Sequence, residues 1–530
     1  MWCITVRNGV VLSRNRTTAF MKNYNKLLYL LALVRLVLPY LLQNTVYEPH
    51  RDEFLYLAEG NHLAWGFMEV PPMLSIFAWL THLFGDGMFW IKLWPSLFGA
   101  ATFIVAGKTI LSLGGRSFAL WLLFLSFTFS VFLRLFFLFQ PNPPEVFFWT
   151  MIVYSIIRYV ETTRNKWLYV FGVSVGLGML SKYSVAFYTV SVLAGVLLTK
   201  YRVLFANKHF WLAALVGFLI FLPNLLWQYT HGFPVLFHMR ELQQTQLQYI
   251  SPLSFLSDQL IMFLPCCFVW PAGLYYVSFS PAERRFRFIG WAYVLVIIIL
   301  LVGHGKNYYA LGSYPVLLAF GAYYLERITA TRRTWHYVMM VPIFGLGLIL
   351  LPMALPLFEP ARLEHFYKQV GAEKTGVLKW EDLRNHPLPQ DFSDMLGWEE
   401  MAKKVAVAYH SLTPAEQQQT LIFCNNYGMA GAVNYYGRKY NLPEAYSDNA
   451  SFLYWLPGNK PMTNLILVCT DTNELQHDYI KFFKSAQFTD SVTSKYAREH
   501  GDFIMLAKGA DEWFARFFRQ KIAADKAAMK

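Results

Sequence analysis

Acidic residues crowd one short stretch of the chain: Glu48, Asp52, Glu53, Glu59 and Glu69 lie between Tyr47 and the paired prolines Pro71 and Pro72. A carboxylate can take a proton from a hydroxyl group or orient a neighbour that does. On a helix, Asp52, Tyr56 and Glu59 share one face. Carboxylates at a hydrocarbon boundary are costly to desolvate, so they tend to be solvated, paired or functional. The plain structural alternative is that Asp52 caps an amphipathic surface helix. A second segment, Gln140-Pro141-Asn142-Pro143-Pro144-Glu145, reads as a proline-rich turn with Glu145 at the start of the next helix. Three more segments bring cations and amphipathic rings: Ser181-Lys182-Tyr183, Trp227 to Pro234 with His231, His238 and Arg240, and His304-Gly305-Lys306-Asn307-Tyr308-Tyr309. Snorkelling lysines and interfacial aromatic anchors explain each of these alone. Carboxylates and cations converging on one face are what an anionic lipid headgroup and a hydroxyl nucleophile together would need.

These residues must be positioned by membrane helices. Of the 530 residues, 55% are hydrophobic, 18% aromatic and only 15% charged, which excludes an ordinary soluble protein and a disordered chain. A collagen-like or disulfide-scaffold chain is excluded by 32 Gly and 5 Cys. Eleven apolar runs are long enough to be candidate spans, near 27–43, 88–113, 117–138, 145–160, 167–181, 184–200, 209–228, 259–279, 288–303, 311–326 and 336–356. Residues 72–84 are too short and read as a helix at the membrane surface or the rim of a span. The net charge of +13 comes largely from short loops, so nucleic acid is not the expected partner. One set of loops holds Arg7, Arg14, Arg16, Lys22, Lys26, Lys108, Arg116, Arg158, Arg164, Lys166, Lys200, Arg202, Lys208, Arg284, Arg285, Arg287, Arg327, Arg332 and Arg333. It outnumbers Arg51, Lys92, Arg134, Lys182, Arg240 and Lys306 on the other side, which places the first set in the cytoplasm. The first run then reads as an uncleaved signal anchor with a cytoplasmic N-terminus.

Composition changes near 357. Segments 421–424, 464–469 and 502–507 read as short buried strands, and helical patterns at 398–409 and 474–484 lie between them, which predicts a small α/β domain. The expected organisation is a transmembrane domain over 1–356, with a first outer loop at 44–87, and an extracytoplasmic domain over 357–530. Cys3, Cys266, Cys267, Cys424 and Cys469 lack zinc-ligand spacing, and a disulfide between Cys424 and Cys469 is possible.

At these residues the sequence resembles bacterial members of the dolichyl-phosphate-mannose protein mannosyltransferase-like superfamily, glycosyltransferase family 39 and the aminoarabinose transferases, which have the GT-C fold. The matching stretches are DEFLYLAEGNHLAWGF with VPP (52–72), GLGMLSKYSVAF (176–187), LPNLLWQYTHGFP (222–234) and GKNYYALGSYPVLLAFGA (305–322). In the C-terminal part they are LPQDFSDMLGWEEMAKKVA (388–406), NNYGMAGAVNYYGRKYNLPEAYS (425–447) and SFLYWLP (451–457). The resemblance implies a mainly α, polytopic GT-C protein of about eleven transmembrane helices with a small C-terminal extracytoplasmic α/β domain. It implies an inner-membrane enzyme that moves a sugar from a polyprenyl-phosphate carrier to an extracytoplasmic hydroxyl of a protein, lipid or glycan. The family's first-loop acidic motif falls on Asp52-Glu53 and its later acid on Glu69. Val70 stands where aminoarabinose transferases commonly have Lys, which points away from aminoarabinose transfer to lipid A. The second-loop acid is best matched by Glu145, with Asn142 in the other register.

On this reading Asp52 is the general base, and Glu53 and Glu69 orient the acceptor or hold Asp52. Lys306 with Tyr308 and Tyr309, then Lys182 and Arg240, with His231 beside them, are the candidates for the donor phosphate. Oxygen ligands at Asp52 and Glu69 or Glu145 would suit Mg²⁺ or Mn²⁺. One base with displacement at carbon predicts inversion. Membrane lipids surround the spans, and the competing class is a transporter or flippase of a lipid-linked sugar, which would put its polar groups near the bilayer midplane.

Overall fold

The computed structural model describes residues 23–457, 462–471 and 473–528, so Cys3, Arg7, Arg14, Arg16 and Lys22 lie outside the described residues. Among the described residues, five helices are long and apolar enough to cross a membrane: Asn23–Leu42, Met88–Ser112, Lys208–Thr230, Pro281–Val302 and Thr334–Ala354. A sixth span results if Val185–Leu197 and Lys200–Ala206, bent by 113°, form one segment. The other expected spans are shorter or broken, and the breaks have local causes. The run at 117–138 becomes Ser117–Thr128, a turn at Phe129, and Val131–Leu135 capped by Ser130. The run at 259–279 is interrupted around Pro265, which has no N–H to continue a helix, and resumes as Val269–Phe279. Residues Met73–Leu83 form the expected short helix. The chain is a multi-pass membrane protein, mainly helical, with a C-terminal α/β unit.

Within the bundle, helices Lys166–Met179 and Lys208–Thr230 approach closely where they carry glycine. A Cβ at Gly172 would sit 2.0 Å from the Ala213 carbonyl oxygen, and one at Gly217 would sit 2.6 Å from that of Gly172. Small residues at such crossings let backbones pack without side chains between them.

The C-terminal unit is built on a sheet whose described strands are β1 (Thr420–Cys424), β2 (Ala445–Tyr446), β3 (Asn464–Cys469), β4 (Ser485–Ser491) and β5 (Phe503–Lys508). Their order is β2-β1-β3-β5-β4. β1 runs parallel to β2 and β3, while β5 is antiparallel to both β3 and β4. Alternate residues of β3 serve opposite faces, as a strand requires. Leu465 and Leu467 pack with Phe514, Phe518 and Ile522 of the helix Glu512–Ala528. Ile466 and Val468 pack with Trp398, Val405 and Val433, and that core continues into Phe54, Leu55 and Leu57 of the helix Arg51–Glu59. The unit is therefore fused to the first loop through one apolar core. Cys424 and Cys469 end β1 and β3 as buried free thiols, so the two are not paired.

Candidate active site

The helix Arg51–Glu59 carries the acids, and its start is fixed by a reciprocal cap. The Asp52 N–H donates to His50 Nδ1 at 3.2 Å, and the His50 N–H donates to Glu53 Oε2 at 2.8 Å. Glu53 is fully buried. Its oxygens also accept from Lys92 Nζ at 2.5 and 2.8 Å and from the Phe139 N–H at 2.6 Å. With those acceptor sites filled, Glu53 holds the helix against the span Met88–Ser112 and the segment before Gln140. Glu48 does similar work one turn earlier. Its two oxygens accept the N–H groups of Trp398 and Glu399 at 2.8 and 2.7 Å, at the positive end of the helix Trp398–His410.

Asp52 differs from its neighbour. Its side chain is 34% exposed. Oδ1 accepts from the Tyr427 hydroxyl at 2.7 Å and Oδ2 from Gln140 Nε2 at 3.2 Å. From Gln140 the polar contacts continue: Asn142 Nδ2 donates to Gln140 Oε1 at 3.3 Å, and Lys182 Nζ donates to Asn142 Oδ1 at 2.7 Å and to Glu145 Oε2 at 2.9 Å. Ser184 donates to the other Glu145 oxygen. The Lys182 ammonium lies over the rings of Tyr309 and Tyr308, 4.4 and 5.5 Å from their centres. Asp52, Lys182, Glu145, Tyr308 and Tyr309 thus belong to one connected set, and both registers of the second-loop motif, Asn142 and Glu145, touch the same lysine.

Lys306 is half-buried, and among the described residues no carboxylate pairs with it. Burial lowers its pKa, opposed by the negative charges of Asp52 and then Glu381. Its loop is held from below, where Gln259 Nε2 donates to the Asn307 carbonyl at 2.9 Å while its Oε1 accepts from Tyr314 at 2.7 Å. His238 lies near Lys306, and burial together with that charge pushes its pKa down to about 4, so it is neutral at physiological pH.

Glu69 sits at the other end of the loop. Both the N–H and the hydroxyl of Ser451 donate to it, each at 2.6 Å. Burial raises its pKa, which those bonds oppose. Glu59 is buried with neither oxygen bonded, and burial, followed by the charge of Glu69, raises its pKa well above the ordinary carboxyl range. The loop between them rests on the Lys208–Thr230 helix: Asn224 Nδ2 donates to the Trp65 carbonyl at 2.7 Å, and Tyr183 bridges Asn224 and Gln228 at 3.1 and 2.9 Å.

Two expected residues stand apart. His231 is exposed, stacked on Trp227 with ring centres 4.1 Å apart. Arg240 is exposed on the helix Pro234–Thr245. Asp52, Glu69 and Glu145 each accept from different protein donors. Among the described residues the one group of three with metal-ligand proximity is Asp471, Glu474 and His477, in the C-terminal unit.

Sequence reasoning gave no role to Tyr427 or Ser451. Both fall in C-terminal stretches that carried the family resemblance, 425–447 and 451–457. That was the only signal, because contacts spanning more than 370 residues leave no local pattern.

Comparison with known proteins bears on the fold. Residues 69–227 match the family model described as dolichyl-phosphate-mannose-protein mannosyltransferase. The structure of ArnT from Cupriavidus metallidurans in the apo state is similar at a TM-score of 0.61 and 14% identity, covering 92% of this chain and 98% of that one. The same protein bound to undecaprenyl phosphate gives 0.58 and 14%, covering 91% and 97%. No curated protein matches the sequence. The fold is that of these two ArnT structures.

Proposed function

We propose that this protein is a glycosyltransferase that moves a sugar from a polyprenyl-phosphate carrier to an acceptor hydroxyl, with inversion at the anomeric carbon. The observation that carries the reading is that unlike groups belong to one connected set. A part-exposed carboxylate, Asp52, is linked by hydrogen bonds through Gln140 and Asn142 to the Lys182 ammonium, which lies over the rings of Tyr308 and Tyr309. The ArnT structure with undecaprenyl phosphate supports the choice of donor, since a protein of the same fold holds that lipid.

In the reaction, Asp52 takes the acceptor hydroxyl proton as its oxygen attacks the anomeric carbon. The bond from that carbon to the phosphate oxygen breaks, and its electron pair leaves with the phosphate. The products are the glycosylated acceptor and polyprenyl phosphate. Lys306 and Lys182, with the hydroxyls of Tyr308 and Tyr309, meet the charge that gathers on the leaving group. A positioned base contributes about 10²–10⁴-fold. No step is routed through a divalent ion. The loop and the C-terminal unit lie on the outer face of the cytoplasmic membrane, the N-terminus inside, as the bias of Lys and Arg requires. The acceptor is a protein, lipid or glycan on that face.

Transfer from a polyprenyl-phosphate sugar to envelope acceptors, followed by mass spectrometry, tests this. Asp52→Asn, inserted and folded, is expected to lose about 10²-fold or more of the rate. Full activity in that variant removes Asp52 from the mechanism.

A further inference from the structure

We infer that the C-terminal unit is part of the catalytic apparatus: Tyr427 and Ser451 are positioning residues that fix Asp52 and Glu69, so that transfer requires the unit to be docked. The inference rests on the glycosyltransferase reading above and assigns a role to the unit within it.

Tyr427 opens the helix that follows β1 after Asn425 and Asn426, at the edge formed by the C-terminal ends of the parallel strands β1 and β3. Open α/β sheets place their ligand contacts at this edge. Here it is occupied by the start of the helix Arg51–Glu59. The Arg51 guanidinium lies 4.8 Å from the centre of the Tyr427 ring, and the Arg51 N–H donates to the Asp394 carbonyl at 2.9 Å. The approach is close because the facing helix is bare: a Cβ at Gly428 would meet Arg51 Cγ at 2.5 Å, and one at Gly431 would meet the Phe54 carbonyl oxygen at 2.8 Å. The phenol is thereby delivered to Asp52 Oδ1 at 2.7 Å. Burial, and after it the charge of Asp52, raises the Tyr427 pKa well above its ordinary value, so the hydroxyl remains a donor. With Oδ1 occupied, Oδ2, on the longer bond to Gln140, is the oxygen left to receive a proton.

Ser451 makes the second attachment from a separate segment. Its N–H and hydroxyl both donate to Glu69, and its oxygen accepts the Met68 N–H at 3.0 Å. A purely structural junction needs only apolar contact, which Phe54, Leu55, Trp398 and Val433 already supply. The unit instead sets two hydroxyl groups on two of the acids proposed to handle the acceptor.

The test compares Tyr427→Phe, Ser451→Ala and Ser451→Thr in full-length protein in membranes, with Asp52→Asn as the inactive reference. Tyr427→Phe is expected to lower kcat by about 10–100-fold, as loss of orientation does, while KM for the donor changes by less than about twofold. Ser451→Ala is expected to lower kcat, and Ser451→Thr, which keeps the hydroxyl, to restore it. Hydrogen exchange over 427–437 checks that the unit stays docked. If Tyr427→Phe undocks the unit, the Ser451 pair decides. Unchanged kcat in Tyr427→Phe and Ser451→Ala, or a rise in KM alone, overturns the inference while the glycosyltransferase reading stands. Absence of sugar transfer by the unaltered protein overturns that reading first.

Discussion

The membrane bundle and the C-terminal unit meet across one short helix, Arg51–Glu59, and Glu53 on the bundle side is treated in the opposite way to Glu499 and Asp502 on the other. On the bundle side, Glu53 is fully buried and fully answered, by Lys92 and two backbone N–H groups. On the other side, Glu499 and Asp502 are 5% and 8% exposed, and each keeps one oxygen without a partner. Burial pushes their pKa values up to about 8 and about 7, and the charges of Arg51 and Arg498 only partly offset it. The difference follows from the solvent each region borders. Beside hydrocarbon an unanswered charge has no water to turn to, so the pair must close within the protein. A junction between a water-facing unit and a loop can leave an acid protonated instead.

The largest effect should come from opening the closed pair. Glu53→Gln leaves Lys92 buried without a counter-charge, a change that costs about 3–5 kcal/mol. Thermal unfolding in detergent should register it as a large drop in Tm. Adding Lys92→Met should recover much of the loss, because it removes the stranded charge. A Glu53→Gln variant of unaltered stability would show that the bundle side is not closed as described.

The junction should respond to pH. Glu499 and Asp502 hold protons more tightly in the folded protein than in the unfolded chain, whose carboxyls titrate near 4. Their contribution to stability is therefore fully present below about pH 4 and is lost as pH rises through about 7 to 8. The groups bearing on both are Arg51 and Arg498, and on Glu499 also Asp394 and Asp502. Docking of the C-terminal unit, followed by protease resistance of its connection at 355–360, should weaken between pH 5 and pH 8.5 by on the order of a few kcal/mol. Glu499→Gln with Asp502→Asn should flatten that dependence. A flat profile in the unaltered protein would remove the contrast between the two regions.

The sequence spoke clearly about the bundle side of this contrast and hardly at all about the junction. Apolar runs, interfacial loops and the clustering of Glu48 to Glu69 are local patterns, and they led to the membrane fold and to the segment that carries Asp52. Span lengths were less legible, because apolarity says where a segment sits but not where Phe129 or Pro265 will break it. Adjacent Asp52 and Glu53 looked alike as sequence. They were separated by Lys92 and Tyr427, partners 39 and 375 residues away. The strands were readable as short buried runs, yet their order, and with it the placement of Tyr427 beside Asp52, depends on pairing between distant segments.

The smallest expected effect probes how closely the two regions must approach. Gly431 faces Phe54, where a Cβ would stand 2.8 Å from the carbonyl oxygen and 2.9 Å from the carbonyl carbon. Backbone cannot yield as a flexible side chain can, so Gly431→Ala must push the helix Tyr427–Gly437 away from Arg51–Glu59. Overpacking of this kind costs about 1–3 kcal/mol. The shift acts on the first turn of the same helix, which carries Tyr427, so it lengthens the bond from that hydroxyl to Asp52 without touching either residue. Transfer should fall with stability in Gly431→Ala, whereas Gly345→Ala, where nothing lies within 4 Å of the added carbon, should leave transfer unchanged. Loss of stability in Gly431→Ala with full transfer would show that the junction holds the two regions together without setting the geometry of Asp52.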